Sequence, residues 1–369
     1  MASPPVARPR QSAPTAPPAS AARLQWLFLA LVALSAVSLL AISSRVAAVS
    51  PRLLRQQAPA EQTNVTKVAA AAPTEQLEPA PRIPRIIHQS WKSVDRIPTR
   101  FHPWMRSWTA LHPSWTYVFW TDADNLRLFE QLYPQYLKVA RAVKKVSLAD
   151  MARYALLHQV GGLYVDADFE CTQSFDELHR IHSLFLSSEP RAHKVLLENF
   201  NAASLCNALM ASAPGHPFWL QVLDDIKDKF DREGARRSDA VALTGPRMMT
   251  QTYFSPASNF TAEDSGIAVL PPEFFYPEVA YWNLEPMEKA CRQRKDAEAK
   301  EVCEWLQKFP HGEFTSNTHA THHCQCTWCR DAQLDEFAAL DTIFSPSDTH
   351  ITRPTITSTG IEFTRIGLD

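Results

Sequence analysis

The feature that most constrains the fold is a helix, a glycine turn and a strand that follow one another between residues 147 and 170. Ser147 with Asp150 three residues later has the pattern of a capping box, which predicts a helix over residues 147–159. Gly161-Gly162 then supplies a turn, and residues 163–170 alternate apolar and polar side chains, as a strand buried on one face does. This order is typical of α/β proteins, whose ligands bind beyond the carboxyl ends of parallel strands.

Further elements precede this unit. We predict strands at Arg85 to Trp91 and Trp115 to Trp120, and a helix at Asp124 to Leu132. Strands that alternate with helices indicate a mostly parallel sheet with right-handed crossovers. Four tryptophans fall at helix and strand positions, so we expect them in the core: Trp104, Trp108, Trp115 and Trp120.

The beginning of the chain has a different character. Residues 24–44 are 21 consecutive uncharged residues, and a helix of this length spans the roughly 30 Å hydrocarbon core of a bilayer. We expect an uncleaved membrane anchor, with a cleaved signal peptide as the alternative. Ala/Pro-rich composition predicts a disordered cytosolic tail over residues 1–23 and a flexible stem over residues 45–82. Arginines are equally numerous on both sides of the anchor, so charge alone leaves its orientation open.

Two weaker signals favour a lumenal position for everything after the anchor. Asn64 and Asn259 each begin an N-glycosylation sequon, and all seven cysteines follow residue 170, where an oxidising lumen would permit disulfides. Lys and Arg number 37 against 39 Asp and Glu, so the basic excess of nucleic-acid-binding proteins is missing. The nine glycines form no phosphate-binding loop, and a bound nucleotide would therefore need a metal ion held by carboxylates.

Asp166 and Asp168 are the candidate metal ligands. On one continuous strand they would project from the same face about 7 Å apart, and their mutual repulsion would be relieved by a hard divalent ion such as Mg²⁺ or Mn²⁺. The alternative is a solvated acidic strand face. On the preceding helix, Asp150 and Arg153 are neighbours, which indicates either a surface ion pair or an arginine that contacts a sugar or phosphate oxygen.

Three segments together resemble glycosyltransferase family 32: Ile83 to Lys92, Ser147 to Tyr154 and Gly161 to Asp168. The resemblance covers residues 83–330 and implies a GT-A fold, a Rossmann-like, mostly parallel sheet flanked by helices. It also implies a nucleotide-sugar donor, an Mn²⁺ or Mg²⁺ ion, and hexose transfer with retention of anomeric configuration. Residues 331–369 would be a C-terminal extension that forms either added strands or a loose tail.

The same resemblance implies roles for individual residues. Asp166 and Asp168 take the positions of the DxD motif, with Asp168 on the metal and Asp166 on the metal, ribose or donor sugar. The other implied contacts lie near the donor sugar (Asp150, Arg153, Tyr154 and Asn207), the nucleotide (Gln89, Trp91 and Trp328) and the acceptor (Thr244-Gly245-Pro246). His322 is the preferred residue for the metal or diphosphate, with His323 as the alternative.

Histidines and cysteines are clustered between residues 319 and 329: His319, His322, His323, Cys324, Cys326 and Cys329. His322-His323 resemble the family pattern, and the three cysteines depart from it. Disulfides from this cluster to Cys291 or Cys303 are the preferred interpretation, and a zinc site is the alternative.

The sequence therefore predicts a single-pass type II protein of the Golgi membrane, or of the ER, with a lumenal transferase domain. The first-choice reaction moves mannose from GDP-mannose to a glycan or glycolipid, and UDP-galactose or a UDP-N-acetylhexosamine is the alternative donor. A non-catalytic lumenal binding module and a zinc-dependent hydrolase are the alternatives from other classes. No nucleic-acid partner is expected, and the oligomeric state is left open.

Overall fold

The computed structural model describes residues 82–198, 204–234, 239–326, 336–344, 348 and 350–366. The predicted tail and membrane anchor, and all of the predicted stem except Arg82, lie outside the described residues. Within the described ranges, no helix is both long enough and apolar enough to cross a membrane.

The strands of the described part of the chain are β1 (Ile86–Trp91), β2 (Ile97–Pro98), β3 (Thr116–Thr121), β4 (Gly162–Val165), β5 (Phe169–Cys171), β6 (Leu184–Ser188), β7 (Leu205–Ser212), β8 (Ile267–Leu270), β9 (Ala320–His322), β10 (Phe337–Ala338), β11 (Ile351–Thr357) and β12 (Gly360–Arg365). The α-helices there are α1 (His102–Leu111), α2 (Asp122–Gln131), α3 (Leu137–Ala142), α4 (Lys145–Val160), α5 (Leu178–Ile181), α6 (Pro217–Glu233), α7 (Ala240–Leu243), α8 (Pro246–Tyr253), α9 (Leu284–Gln293), α10 (Ala297–Lys308) and α11 (Leu340–Ile343).

An eight-stranded sheet forms the centre of the fold, in the order β12-β11-β3-β1-β4-β7-β6-β8. Four strand pairs are parallel, and only β7 and β12 run against the other six strands. β1 lies between β3 and β4, because Ile87 is paired with Tyr117 on one side and with Leu163 on the other. The predicted mostly parallel sheet with helices is therefore confirmed, and β11 and β12 from the C-terminal extension lengthen it at one edge.

The helix that leads to the site is α4, and it begins two residues earlier than expected. Ser147 was predicted as its cap, but Lys144 precedes the first turn and Ser147 is buried inside the helix. The predicted capping box is therefore wrong. The expected end is confirmed, since Gly161 adopts a φ of 68° and directs the chain into β4.

The predicted strand over residues 163–170 is wrong in one respect, because it is two strands joined by a turn at Asp166 to Asp168. The Asp166 amide donates to the carbonyl of Ala208 in β7, and the Phe169 amide donates back to the carbonyl of Asp166. β5 then leaves the main sheet and pairs with β9, where Phe169 lies opposite His322. The turn thereby brings both aspartates next to β9.

The expected apolar face of this segment is confirmed. Leu163, Val165 and Phe169 are buried in one hydrophobic layer, whereas Tyr164 lies in the layer on the other side of the sheet. Three of the four tryptophans are also buried as expected: Trp108, Trp115 and Trp120. Trp104 is only partly buried, and it stacks on His323 with ring centroids 4.0 Å apart.

Candidate functional site

A cleft of about 450 Å³ lies where β1, β4 and β7 meet. Most of the site residues expected from the sequence line it, although they come from five separate segments of the chain: Trp91, Asp150, Arg153, Asp166, Asp168, Asn207 and His322. This position beyond the carboxyl ends of β1 and β4 is the one at which α/β sheets bind ligands.

Asp166, Asp168 and His322 form a candidate metal centre. One ligand atom from each residue can be chosen so that all three lie within 4.8 Å of one another. Nε2 of His322 is 3.2 Å from Oδ1 of Asp168, and the Gln325 amide donates a 2.7 Å hydrogen bond to Oδ2. The His322 ring is fixed by stacking on Phe169, with centroids 4.3 Å apart. Two carboxylates with one imidazole suit Mn²⁺ or Mg²⁺, so these residues fit the implied ion.

The two aspartates have opposite electrostatic tendencies. Burial raises the pKa of Asp166, and repulsion by Asp168 adds to that increase although Arg153 opposes it. Burial would also raise the pKa of Asp168, but the His322 imidazole and the Gln325 amide outweigh burial and lower it. A cation between these carboxylates would remove their repulsion and favour the ionised form of both.

Arg153 connects the metal centre to helix α4. Its Nη1 donates a 2.7 Å hydrogen bond to the Asn207 carbonyl and lies 3.2 Å from Oδ1 of Asp166, while Nη2 lies 3.5 Å from Asp150. The side chains of Arg153 and Asp150 are only 7% and 8% exposed, so the surface ion pair offered as one interpretation of these residues is wrong. Burial alone would lower the pKa of Arg153, but Asp166 and the other anionic neighbours raise it. The guanidinium is a fixed positive charge at the wall of the cleft.

Asp150 has both carboxylate oxygens paired. Asn207 Nδ2 donates to Oδ1 and the Thr244 hydroxyl donates to Oδ2, each at 2.9 Å. Burial raises the pKa of Asp150, whereas Arg153, Thr244 and Asn207 oppose that increase. Asp150 therefore acts on the cleft mainly by holding Arg153 and Asn207 in place.

Tyr154 and Gln89 lie behind the cleft and are not among the residues that line it. The Tyr154 hydroxyl accepts from Asn207 Nδ2 and donates to the Thr244 carbonyl, each at 2.9 Å. Gln89 is fully buried, accepts a hydrogen bond from the Tyr117 hydroxyl and donates a 3.2 Å bond to the Asp166 carbonyl. Both residues support the site from behind, and their expected contact with donor or nucleotide stays a prediction.

Trp91 and Trp328 were the two aromatic residues expected near the nucleotide. Trp91 lies on the cleft wall, where its indole N–H donates a 2.7 Å hydrogen bond to the Arg96 carbonyl. Trp328 lies outside the described residues.

Several cleft residues were not expected from the sequence, among them Lys145, Glu189 and Trp282. Glu189 directly follows β6, so its position at a strand end could have identified it had that strand been predicted. Lys145 and Trp282 occur in no motif of the sequence, and only the folded chain brings them to the cleft.

The predicted disulfides from the histidine and cysteine cluster to Cys291 or Cys303 are wrong, because these two cysteines are bonded to each other. Cys324 is a free thiol, and Cys326 is disulfide-bonded. His323 contacts Glu170 at 3.0 Å and His319 contacts the Ser174 carbonyl at 2.9 Å. Within the described ranges, the only group of at least three His, Cys, Asp or Glu side chains close enough to hold a metal ion is that of Asp166, Asp168 and His322.

Comparisons with known proteins concern the family that the chain resembles. Residues 98–185 match the family model described as the glycosyltransferase sugar-binding region containing a DXD motif, which confirms the resemblance drawn from the sequence.

A mannosyl phosphorylinositol ceramide synthase of Saccharomyces cerevisiae is 29% identical over 197 residues, 53% of this chain and 49% of that protein. Inositol phosphoceramide mannosyltransferase 3 of Schizosaccharomyces pombe is 32% identical over 145 residues, 39% of this chain and 37% of that protein. The chain thus spans about half or less of the length of these relatives. Among solved structures, PaToxG glycosyltransferase has a TM-score of 0.38 and 16% identity, and the match covers 59% of this chain and 83% of that one.

Proposed function

We propose that the protein is a retaining glycosyltransferase of GT-A fold that transfers a hexose from a nucleotide sugar to a glycan or glycolipid. The observation that carries this proposal is the grouping of Asp166, Asp168 and His322 within 4.8 Å, directly beside the buried Arg153. GDP-mannose is the first-choice donor, because one relative is named a mannosyltransferase and the other a mannosyl phosphorylinositol ceramide synthase. UDP-galactose and UDP-N-acetylhexosamines are the alternative donors.

A divalent ion held by Asp166, Asp168 and His322 would neutralise the diphosphate of the leaving nucleotide. Arg153 contributes a fixed positive charge to the same wall, and its contacts with Asn207, Asp150 and Asp166 orient it before substrate binds. Preorganised charge of this kind stabilises the transition state without reorganisation during the reaction. Asn207 and Asp150 keep that arginine in place, and Trp91 offers an aromatic surface for the base.

The names of the same relatives support one choice of acceptor. The names of the relatives specify inositol phosphoceramide, so a sphingolipid is the acceptor we favour. An anchor at residues 24–44 in the Golgi or ER membrane, with the catalytic domain in the lumen, would place the cleft near such a lipid.

The test is donor hydrolysis by the purified full-length chain, measured for a panel of GDP- and UDP-sugars with Mn²⁺, Mg²⁺ or EDTA. We expect turnover of one donor, dependent on the ion and reduced at least about 100-fold in Asp168→Asn, since a preorganised charge interaction of this kind contributes about 3 kcal/mol. Asp341→Asn, which changes an exposed carboxylate outside the cleft, is the control. A folded protein that neither hydrolyses any donor nor binds Mn²⁺ in calorimetry would contradict the proposal.

A further inference from the structure

The cleft contains a carboxylate, that of Glu189, which lies outside the cluster of Asp150, Asp166 and Asp168. Glu189 directly follows β6, as Asp166 directly follows β4, and β7 lies between these two strands. The Glu189 amide donates to the carbonyl of Ser204, just before β7, and the Asp166 amide donates to that of Ala208 within it. Glu189 and Asp166 therefore flank β7. Asn207 of that strand lies in the chain between Ser204 and Ala208, whose carbonyls accept these two hydrogen bonds.

Glu189 is held by His193, and Asn283 in turn orients His193. Nδ1 of His193 lies 3.4 Å from Oε2 of Glu189, and Nδ2 of Asn283 lies 3.2 Å from Nε2 of the same imidazole. Because the Asn283 amide group donates to Nε2, the proton of a neutral His193 is on Nδ1 and points at the carboxylate. The side chains of Glu189 and His193 are each 18% exposed, and Glu189 alone of the two lines the cleft.

This arrangement leaves Glu189 able to accept further hydrogen bonds. A carboxylate has about four acceptor positions, and His193 uses one of them in the described part of the chain. The ion pairs found among the described residues join Glu189 to His193 and to no lysine or arginine. Trp282, next to Asn283 in the chain, lines the same cleft and adds an aromatic surface near this carboxylate. An aromatic wall with a few fixed polar groups is the usual make-up of a small-molecule site.

We infer that Glu189 accepts a hydrogen bond from a sugar hydroxyl in the cleft, and that His193 and Asn283 are positioning residues for it. The inference rests on the proposed function. The hydroxyl belongs either to the transferred hexose or to the acceptor. In the first case substitution of Glu189 changes donor hydrolysis in the absence of acceptor, and in the second case it does not.

The test compares Glu189→Ala and Glu189→Gln with the wild-type full-length protein in two assays, donor hydrolysis without acceptor and complete transfer. We expect Glu189→Ala to raise KM by about 10- to 100-fold, as loss of a hydrogen bond to a charged group does, and Glu189→Gln to do so less. A change in both assays assigns the hydroxyl to the transferred hexose, and a change in transfer alone assigns it to the acceptor. Glu285→Gln, on the exposed side of α9, is the control.

Kinetic constants of Glu189→Ala within twofold of wild type in both assays would overturn the inference while leaving the proposed function intact. A wild-type protein without any turnover would instead overturn the proposed function, and the inference with it.

The positioning role of His193 has its own readout. We expect His193→Ala to raise KM by about 3- to 10-fold with little change in kcat, and to add nothing in the Glu189→Ala background, because coupled residues are non-additive. If His193 were merely structural, its substitution would lower the melting temperature and its effect on KM would be independent of Glu189.

Discussion

The Thr244 hydroxyl donates a 2.9 Å hydrogen bond to Oδ2 of Asp150, although the two residues are 94 positions apart in the chain. Since Asn207 donates to the other oxygen, the buried carboxylate has no unpaired oxygen when it faces Arg153. The turn that leads into α8 therefore helps to fix the carboxylate that holds Arg153.

Replacing Thr244 by valine should be costly, because Val has nearly the same shape but leaves an oxygen of Asp150 without its donor. We expect a loss of about 1–3 kcal/mol in the free energy of unfolding, measured with urea, and reduced donor hydrolysis. Thr244→Ser keeps the hydroxyl and is the matched control. Equal stability and activity of the two variants would contradict the role assigned to this hydrogen bond.

The turn between α4 and β4 offers a second test, through its glycine. A Cβ on Gly161 would lie 2.7 Å from the Ser212 carbonyl oxygen, whereas a Cβ on Gly215 would meet no atom within 4 Å. Both residues have a positive φ, of 68° and 74°, so alanine is strained at each position and overlaps the backbone only at Gly161. We expect Gly215→Ala to cost about 1 kcal/mol and Gly161→Ala clearly more, measured by urea unfolding. Similar losses of unfolding free energy in the two variants would show that the backbone shifts to relieve the overlap between the new Cβ at position 161 and the Ser212 carbonyl.

β1 and β3 were predicted from their content of β-branched and aromatic residues, and the end of α4 was predicted from Gly161-Gly162. Periodicity of apolar and polar residues was the basis of the strand predicted over residues 163–170. It failed at Asp166 to Asp168, where alternation of apolar and polar residues continues although the strand ends. The alternation continues because Val165 and Phe169 are both buried in the same hydrophobic layer. A turn that keeps the same side buried does not interrupt the alternation of apolar and polar residues.

The site was predicted for residues that fall within a recognised motif and missed for those outside any motif. Asp150, Arg153, Asp166 and Asp168 lie within 19 residues of one another in the chain and line one cleft. Glu189 and Trp282 come from segments without a recognisable motif, and no spacing rule connects them to the aspartates. The disulfide partners were misassigned for a similar reason, since sequence gives the number of cysteines but not their pairing.

The Cys291–Cys303 disulfide closes a loop between α9 and α10, with a sequence separation of 12 residues. In the chain-entropy model, a loop of this size stabilises the folded state by about 3 kcal/mol. We expect Cys291→Ser with Cys303→Ser to lower the unfolding free energy by up to that amount in non-reducing buffer. The difference from wild type should vanish when both proteins are unfolded under strong reductant. A difference that persists under reductant would mean that side-chain packing, not the cross-link, is responsible.

Asn259 tests the proposed lumenal position. It is exposed in a turn, with Thr261 also exposed, and Phe260 between them is anchored against Phe218 with ring centroids 5.1 Å apart. We expect the protein from a eukaryotic secretory host to carry a glycan at this asparagine, seen as a mobility shift removed by peptide N-glycosidase. Thr261→Ala should abolish the modification at Asn259 and Thr261→Ser should keep it, as read by mass spectrometry of the tryptic peptide. An unmodified Asn259 in wild type would argue against a lumenal catalytic domain.

His88 should make the stability of the fold depend on pH. The Trp120 indole donates to its Nδ1 at 3.1 Å, so the neutral ring carries its proton on Nε2 and donates to the Gly161 carbonyl at 2.9 Å. Burial lowers the pKa of His88 to about 4, against 6.5 in the unfolded chain, although the Gly161 bond acts in the opposite direction. Because the unfolded state binds the proton more tightly, the stability contribution of His88 is complete above pH 6.5 and is lost as the pH falls towards 4.

Between pH 6.5 and 4, the contribution of His88 to the free energy of unfolding falls by about 3 kcal/mol, since each unit of pKa difference corresponds to about 1.4 kcal/mol. Urea unfolding of wild type and His88→Gln between pH 7.5 and 4 isolates this contribution, because other histidines whose pKa is lowered by burial, such as His112 and His216, are present in both proteins. We expect the variant to be less stable at pH 7.5 and to approach wild type as the pH falls. Parallel stability curves would mean that the pKa of His88 is the same in the folded and unfolded states, and that its burial has no role in the acid sensitivity of the fold.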